Sequence, residues 1–98
     1  MPYEIRFEPD ARQHLRGMSA YDRAIVVAAI DVQLTHTPAE ETRHRKQIDA
    51  SLLGTWELRV GDFRVFYDVL ESEAVLLIHA IGVKSHNRLT VGGKEWTL

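Results

Sequence analysis

Residues 53–67 read LGTWELRVGDFRVFY, a stretch in which apolar and polar side chains alternate with a period of two. This period is typical of β-strands that bury one face and expose the other. A Gly61-Asp62 pair interrupts the alternation, and such pairs are typical of tight turns. The stretch therefore predicts two antiparallel strands, 56–60 and 63–70, joined by a tight turn.

The two predicted strands sort their side chains onto opposite faces of a sheet, because successive side chains of a strand point to opposite sides. One face receives Trp56, Leu58, Val60, Val65, Tyr67 and Val69. The opposite face receives Glu57, Arg59 and Arg64. If helices cover the apolar face, these three polar side chains point to the open one.

A strand and two helices are predicted before this hairpin. Residues 3–8 alternate with a period of two and predict a strand. Pro9 suits the first turn of a helix, which we expect to stop near Gly17. Ser19 and Asp22 have the spacing of a capping box and predict the start of a second helix.

The rest of the chain completes the predicted sheet. The second helix has an apolar interior at 24–34 and should end near Pro38. Residues 39–51 are polar, and we expect a loop or a frayed helical turn there. Residues 74–83 are apolar on both faces, as in a central strand that is covered on both sides.

The tail predicts a small hairpin. Residues 88–91 and 94–98 flank Gly92-Gly93, and two glycines supply the positive φ angles that a type I′ turn requires. The element order is then β-α-α-β-β-β plus a C-terminal β-hairpin. We therefore predict an α+β fold in which two N-terminal helices pack on one face of an antiparallel sheet.

Length and composition narrow the class of protein. Ninety-eight residues are enough for a single domain, which we expect to span 1–98. The chain has no cysteine, which excludes disulfides and thiolate metal sites. The longest apolar run, 24–30, is too short for a membrane span, and residues 1–6 lack the layout of a signal peptide. We expect a cytoplasmic protein without a membrane partner.

Positive charge is concentrated in two short segments, although the formal net charge is −2. Arg43, Arg45 and Lys46 form one basic run, and residues 84–94, which include Arg88, contain no acid. The net charge excludes indiscriminate binding to nucleic acid, but it leaves room for a local anion site. The basic run is either a solvated loop or a guide for an anionic partner.

Two pieces of the sequence resemble a known family. They are the hairpin at 53–67 and Ile81-Gly82-Val83-Lys84, an apolar strand that ends in a glycine and a basic residue. Both are similar to the RelE/ParE toxin superfamily, the toxins of bacterial type II toxin–antitoxin modules. Phe63 replaces a frequent tyrosine of that hairpin. With the β-α-α order, the resemblance extends over residues 1–84.

The resemblance implies two alternative activities on one scaffold. RelE-like members are ribosome-dependent endoribonucleases that cut mRNA, whereas ParE-like members inhibit DNA gyrase. In both cases a cognate antitoxin binds the toxin, so the resemblance implies a toxin–antitoxin hetero-oligomer, and a homodimer is also open. We expect ribosome-dependent mRNA cleavage; gyrase inhibition and a non-toxic interaction module are the alternatives.

Metal-independent RNA cleavage needs cations beside the phosphate, a base for the 2′-OH and an acid for the leaving oxygen. With the resemblance, strand parity makes the candidate catalytic residues Arg64, Arg59, Lys84, Glu57 and His86. The three cations would clamp the phosphate, and Glu57 or His86 would serve as base or acid. The candidate RNA contacts are Arg43, Arg45, Lys46 and Arg88. We expect no metal and no cofactor.

Position by position, the resemblance is uneven. Arg64 matches the superfamily's catalytic arginine, while Glu57 falls where many RelE-like nucleases have lysine. Those enzymes also carry a base-stacking tyrosine near the position of Thr90, and Trp96 is a candidate replacement.

Plainer interpretations of two residues stay open. Arg64 could pair with Asp62 or Asp68 on the sheet surface. His79 lies inside the last long strand, and we expect it to be a hydrogen-bonded sheet residue.

Overall fold

The computed structural model describes residues 2–51 and 53–96. In chain order the elements are β1 (Glu4–Phe7), α1 (Pro9–Arg16), α2 (Ala20–Leu34), β2 (Arg45–Ser51), β3 (Gly54–Val60), β4 (Phe63–Leu70), a 3-10 turn (Glu71–Glu73), β5 (Val75–Ser85), β6 (Arg88–Val91) and β7 (Lys94–Trp96). Residues 97 and 98, the end of the predicted tail hairpin, lie outside the described residues.

The strands form one sheet in the order β2-β3-β4-β5-β6-β7, and all of these neighbours are antiparallel. β1 pairs in parallel with the first half of β5, so β1 and β6 share one edge of that strand. Parallel pairing is possible here because the helices and the other strands separate β1 from β5 in the sequence. The predicted α+β fold, with its two helices before the long hairpin, is confirmed.

The helix starts follow the predicted capping chemistry. Pro9 opens α1, and the side chain of Ser19 accepts a hydrogen bond of 3.1 Å from the backbone N–H of Asp22 at the start of α2. Gly17 lies directly after α1, as expected. Each helix therefore begins at a residue that local sequence chemistry favours.

The prediction of a loop or frayed turn at 39–51 is wrong from residue 45 onward, where β2 begins. Its polar sequence lacks the alternation by which a strand is recognised, and β2 pairs only with β3 in the sheet order. Polar edge strands are common because exposed apolar edges promote aggregation. Their pairing comes from main-chain hydrogen bonds, which leave no mark in the side-chain pattern.

The main core lies between the helices and the sheet. Val26, Ile30 and Leu34, spaced four residues apart on α2, are buried against apolar side chains of β3, β4 and β5. Trp56 and Tyr67 stack with ring centroids 6.2 Å apart. The predicted apolar face of the long hairpin is therefore the face that the helices cover.

His14 on α1 fills a gap along the edge of β5. β1 ends its pairing at residue 78 and β6 begins at residue 82, so the backbone N–H of Ile81 lies between the two partners. That N–H donates to Nδ1 of His14 over 3.1 Å. Burial lowers the pKa of His14, and the Asp10 carboxylate offsets part of the effect. An imidazole that accepts at Nδ1 is neutral, in agreement with this direction.

We expect the free energy of unfolding to decrease as the pH falls below the ordinary histidine pKa of 6.5. In that range His14 takes up a proton in the unfolded chain before it does so in the folded one, so acid favours unfolding. Neutral His14 contributes its full stabilisation of the folded state above this pKa. That stabilisation is lost as the pH falls to the lower pKa that His14 has in the folded chain. Urea unfolding over this range measures it. A His14→Gln variant should lose most of the dependence, and an exposed His36→Gln control should keep it; equal slopes in both variants would contradict the assignment.

Candidate functional site on the open face

The open face is the face of the sheet opposite α1 and α2, and a carboxylate is buried in it. The side chain of Glu57 on β3 is only 4% exposed. Lys46 Nζ on β2 lies 3.5 Å from Glu57 Oε2, and Arg64 Nε on β4 lies 3.4 Å from Oε1. Two cations therefore flank one carboxylate, which reduces the cost of burying it.

Arg64 is held by more than this ion pair. Its guanidinium donates from one terminal nitrogen to the backbone oxygens of Gly61 and Phe63, over 2.8 and 2.9 Å. Its side chain is 12% exposed, and among the described side chains its Nε is a buried nitrogen without a hydrogen bond. The alternative pairing of Arg64 with Asp62 or Asp68 does not occur; Glu57 is the partner.

The strand register brings Arg59 and Lys84 to the same neighbourhood. Arg59 is directly opposite Arg64, and Arg64 is opposite Gly82, two residues before Lys84 on the same face of β5. The side chain of Arg59 is exposed, and that of Lys84 is half-buried. Three predicted clamp residues therefore lie on neighbouring strands of one face.

Gly82 explains why β6 can lie so close to this site. A Cβ at position 82 would lie 2.7 Å from both the backbone oxygen of Thr90 and a methyl group of Val91. Those distances are shorter than van der Waals contact, so any side chain here would push β6 away. The glycine in the strand motif thus allows close pairing of β5 and β6.

A cavity of about 230 Å³ opens beside Glu57. It is lined by Glu57, Lys84, Asn87, Arg88, Leu89, Glu95 and Trp96. Trp96 is opposite Leu89, which in turn is opposite Lys84, so the indole lies on the open face. Thr90 follows Leu89 on β6, and successive side chains of a strand alternate, so Thr90 lies on the other face. Trp96 therefore stands at the cavity that holds Glu57 and Lys84, and Thr90 does not.

Four other predicted site residues lie apart from the Glu57 carboxylate. His86 is exposed in a two-residue turn between β5 and β6, where His86 and Asn87 have φ angles of 52° and 65°. Arg43 is exposed before β2. Arg88 lines the rim of the cavity, where it pairs with Glu95 at 3.7 Å. Arg45 is on the helix side.

The structure removes Arg45 from the candidate RNA contacts. Arg45 is 6% exposed, and it donates to the backbone oxygen of Gln33 over 2.9 Å and to that of Thr37. It therefore binds the backbone oxygen of Gln33 in the last turn of α2, which has no partner within the helix, and that of Thr37 after the helix. The basic run alternates in direction like any strand, so Lys46 reaches the open face and Arg45 is buried.

We expect Arg45→Ala to lower the free energy of unfolding by about 2–3 kcal/mol, because it removes a buried side chain that is the charged donor of two backbone carbonyl groups. Arg43→Ala removes the same charge from an exposed neighbour and should change stability by less than about 0.5 kcal/mol. Urea unfolding of the two variants checks the difference. Equal stabilities would show that the buried hydrogen bonds of Arg45 contribute nothing.

Sequence reasoning missed one further group on this face. Asp68 accepts hydrogen bonds from the backbone N–H and the hydroxyl of Thr55, over 2.9 and 2.6 Å. Asp68 Oδ2 lies 2.7 Å from Nε2 of His79, so the expectation that His79 is a hydrogen-bonded sheet residue is confirmed. The signal was a polar residue in each of three neighbouring strands, but their register could not be read from the sequence.

The arrangement around Glu57 has the groups that phosphodiester chemistry requires. Arg64, Lys46 and Lys84 can stabilise negative charge on a phosphate, Glu57 can accept a proton, and Trp96 offers an aromatic surface. Glu57, Lys84 and Trp96 line the cavity, and Lys46 and Arg64 adjoin it through their ion pairs with Glu57.

Comparison with known proteins defines the class. A family profile described as the ParE toxin of the type II toxin–antitoxin system parDE matches residues 5–88. Among solved structures, the chain is similar to a chain of the toxin–antitoxin complex RelBE2 from Mycobacterium tuberculosis, with a TM-score of 0.70 and 25% sequence identity. That match covers 86% of this chain and 100% of the other. No curated protein matches the sequence.

The fold and these matches define a member of the RelE/ParE toxin superfamily. The chain belongs to the ParE toxin family, and it is the toxin component of a type II toxin–antitoxin system. Among the described residues, neither helix has both the length and the hydropathy needed to cross a bilayer.

Proposed function

We propose that this toxin inhibits translation by cutting mRNA bound to the ribosome, with the open face as its active site. One observation carries the proposal: the Glu57 carboxylate lies between Lys46 and Arg64, beside a cavity that Lys84 and Trp96 also line. A cluster of cations without other groups would bind any anion. The added acceptor and aromatic wall favour an RNA strand.

The proposed reaction needs no group beyond these side chains and the RNA. Glu57 accepts the proton of a ribose 2′-OH, and the 2′ oxygen forms a bond to the adjacent phosphorus. The bond from phosphorus to the 5′ oxygen breaks, and that oxygen takes a proton from the Lys84 ammonium. Arg64 stabilises the added charge on the phosphoryl oxygens. The products are a 2′,3′-cyclic phosphate and a 5′-hydroxyl end.

The lining of the first cavity supports a base-stacking role for Trp96. It lies on the same face as Lys84, whereas Thr90 lies on the opposite face. Stacking on an aromatic side chain contributes about 1–3 kcal/mol per base. In this proposal Trp96 holds the base next to the cleaved bond.

The proposal includes a cognate antitoxin as partner and a cytoplasmic location. RelBE2, to which the chain is similar, is a toxin–antitoxin complex. The outer face of α2 also exposes apolar side chains: Tyr21 and Val32 are each 76% exposed, and Ile25 is 42% exposed. Exposed apolar side chains of this size on one helix favour a protein partner, which we take to be the antitoxin.

The test is induction of the chain without its antitoxin in a bacterial host, with protein synthesis and DNA replication followed separately. We expect protein synthesis to stop first. Purified toxin should then cut mRNA on ribosomes and leave the supercoiling activity of gyrase unchanged. Intact ribosome-bound mRNA would overturn the proposal.

A second candidate is inhibition of DNA gyrase. Two observations favour it: the matching family is the ParE toxin, and the Arg64 guanidinium is already engaged by Glu57 and by backbone oxygens. Inhibited supercoiling without RNA cleavage would decide for this function. Growth unaffected by the free chain would instead indicate an interaction module.

A further inference from the structure

A second cavity, of about 510 Å³, lies between α1 and the open face. Its polar and aromatic lining comes from Asp10, Gln13, His14, His79, Lys94 and Trp96. Trp96 also lines the first cavity, so the two cavities share this side chain. The volume is within the range of about 300–1,000 Å³ that is usual for small-molecule sites.

His79 is fixed in the wall of this cavity by a chain of hydrogen bonds. Burial alone would raise the pKa of Asp68, but hydrogen bonds from Thr55 and His79 outweigh it and hold that pKa below its ordinary value. Asp68 is therefore a carboxylate, and Nε2–H of His79 donates to it over 2.7 Å. Among residues 2–51 and 53–96, Nδ1 of His79 has no hydrogen-bond partner.

Gly54 leaves room for the His79 ring. A Cβ at position 54 would lie 3.2 Å from Cδ2 of His79 and 3.0 Å from the backbone oxygen of Tyr67. The glycine also has a φ of +130°, which side chains rarely adopt. The imidazole is thus positioned by Asp68, and the lack of a side chain at Gly54 lets the ring lie close to the β3 backbone.

His79 is held by Asp68, and Trp96 packs against a buried apolar cluster on this face of the sheet. These structural roles do not explain the polar part of the lining. Within the described part of the chain, Lys94 has no ion pair, although it lines the same cavity as His79. Trp96 supplies an aromatic wall, and Asp10 and Gln13 on α1 supply hydrogen-bond acceptors. A cation, an imidazole, an aromatic surface and acceptors for hydroxyl groups together match the parts of a nucleotide.

We propose that this second cavity binds a nucleotide, with its phosphate on Lys94, its base on Trp96, and a ribose hydroxyl donating to Nδ1 of His79. Asp10 and Gln13 would accept hydrogen bonds from the ribose hydroxyls. The nucleotide is either free or part of a strand that crosses the open face over Trp96. The proposal does not require cleavage at Glu57.

Tryptophan fluorescence tests the proposal, because Trp96 lies at the cavity while Trp56 is buried in the core at 8% exposure. The probes are adenosine 5′-monophosphate, adenosine, and a short RNA used without ribosomes, because the proposed cleavage requires the ribosome. We expect saturable quenching by the monophosphate and at least about tenfold weaker binding of adenosine, a difference of 1.4 kcal/mol. Trp96→Phe should abolish the signal.

The variants separate the two cavities. Lys94→Ala and His79→Ala should each weaken monophosphate binding about tenfold. Lys84→Ala, in the first cavity, and Arg16→Ala, a charge-matched control at the end of α1, should leave it unchanged. Circular dichroism checks that each variant is folded. If His79→Ala does not fold, Lys94→Ala still tests the cavity, because Lys94 is exposed.

The outcomes distinguish this proposal from ribonuclease activity. If binding of the oligonucleotide depends on both Lys84 and Lys94, the ligand is a strand. If Lys94 affects binding of the monophosphate but not of the oligonucleotide, the ligand is a free nucleotide. Quenching that requires Lys84 but not Lys94, or no saturable quenching by any probe, would overturn the second site. Either result can be obtained whether or not ribosome-bound mRNA is cut.

Discussion

Arg64→Ala is expected to reduce cleavage of ribosome-bound mRNA by about 10²–10³-fold, which is the usual effect of removing one donor to a developing oxyanion. The guanidinium is half-buried beside Glu57 and is held at Gly61 and Phe63, so it is already oriented when a phosphate arrives. A site prepared in this way stabilises the transition state without reorganising. The measurement is a single-turnover cleavage rate on programmed ribosomes.

Two companion variants make this result specific. Arg59→Ala removes the same charge from the exposed residue directly opposite Arg64, and it should reduce the rate by less than about tenfold, since solvent screens that charge. Arg64→Lys keeps the charge but loses the two-pronged donor, so we expect an intermediate rate. Because Arg64 also balances the buried Glu57, each variant is first shown to be folded by thermal unfolding. Full cleavage by Arg64→Ala would contradict the ribonuclease proposal.

Ile30→Ala is expected to lower the free energy of unfolding by about 2–5 kcal/mol, the cost of removing a buried aliphatic side chain and leaving a cavity. Ile30 is 1% exposed and packs in the core between α2 and the sheet. The total stability of a domain of this size is about 5–15 kcal/mol, so the variant approaches the limit of folding. Urea unfolding followed by circular dichroism gives the value.

Val32→Ala is the matched control on the same helix. Val32 is 76% exposed, so its truncation should change the free energy of unfolding by less than about 0.5 kcal/mol. If the cognate antitoxin covers this face of α2, the same variant should weaken the complex while it leaves the free toxin's stability unchanged. Equal losses of stability in the two variants would mean that α2 does not pack as described.

The local elements of this chain could be predicted from short stretches of sequence. Alternation at 53–67 predicted β3 and β4, and Gly92-Gly93 predicted the turn of the tail hairpin, where both glycines have positive φ. Ser19 and Pro9 predicted where the helices begin. In each case the cause is local, since it depends on steric limits and hydrogen bonds within a few residues.

Strand β2 and the turn at His86-Asn87 were not predicted, because neither is caused by the local sequence. β2 pairs through its backbone with β3, and its polar side chains do not alternate in a way that marks a strand. The turn at His86-Asn87 uses positive φ angles at two residues other than glycine, which a neighbouring β6 imposes. Both depend on strands that come later in the chain.

The candidate site was predicted in part. The alternation of side chains along each strand predicted that Arg59, Arg64 and Lys84 lie near one another on one face of the sheet, and the observed strand register agrees. The burial of Glu57, its pairing with Lys46 and the position of Trp96 were not foreseen, and Arg45, a predicted RNA contact, is buried. The functions of these residues stay predictions until the cleavage and binding experiments are done.

The sequence by itself determined the two helices and the strands other than β2, and it determined which side of the β3–β4 hairpin is apolar, because these properties depend on local periodicity and turn chemistry. Only the tertiary structure decided which side chains meet. Glu57, Lys46 and Arg64 come together across three strands, and Trp96 reaches the same face through the β6–β7 register. A shift of one residue in any of those registers would turn the side chains to the opposite face, and residue order alone does not set the register.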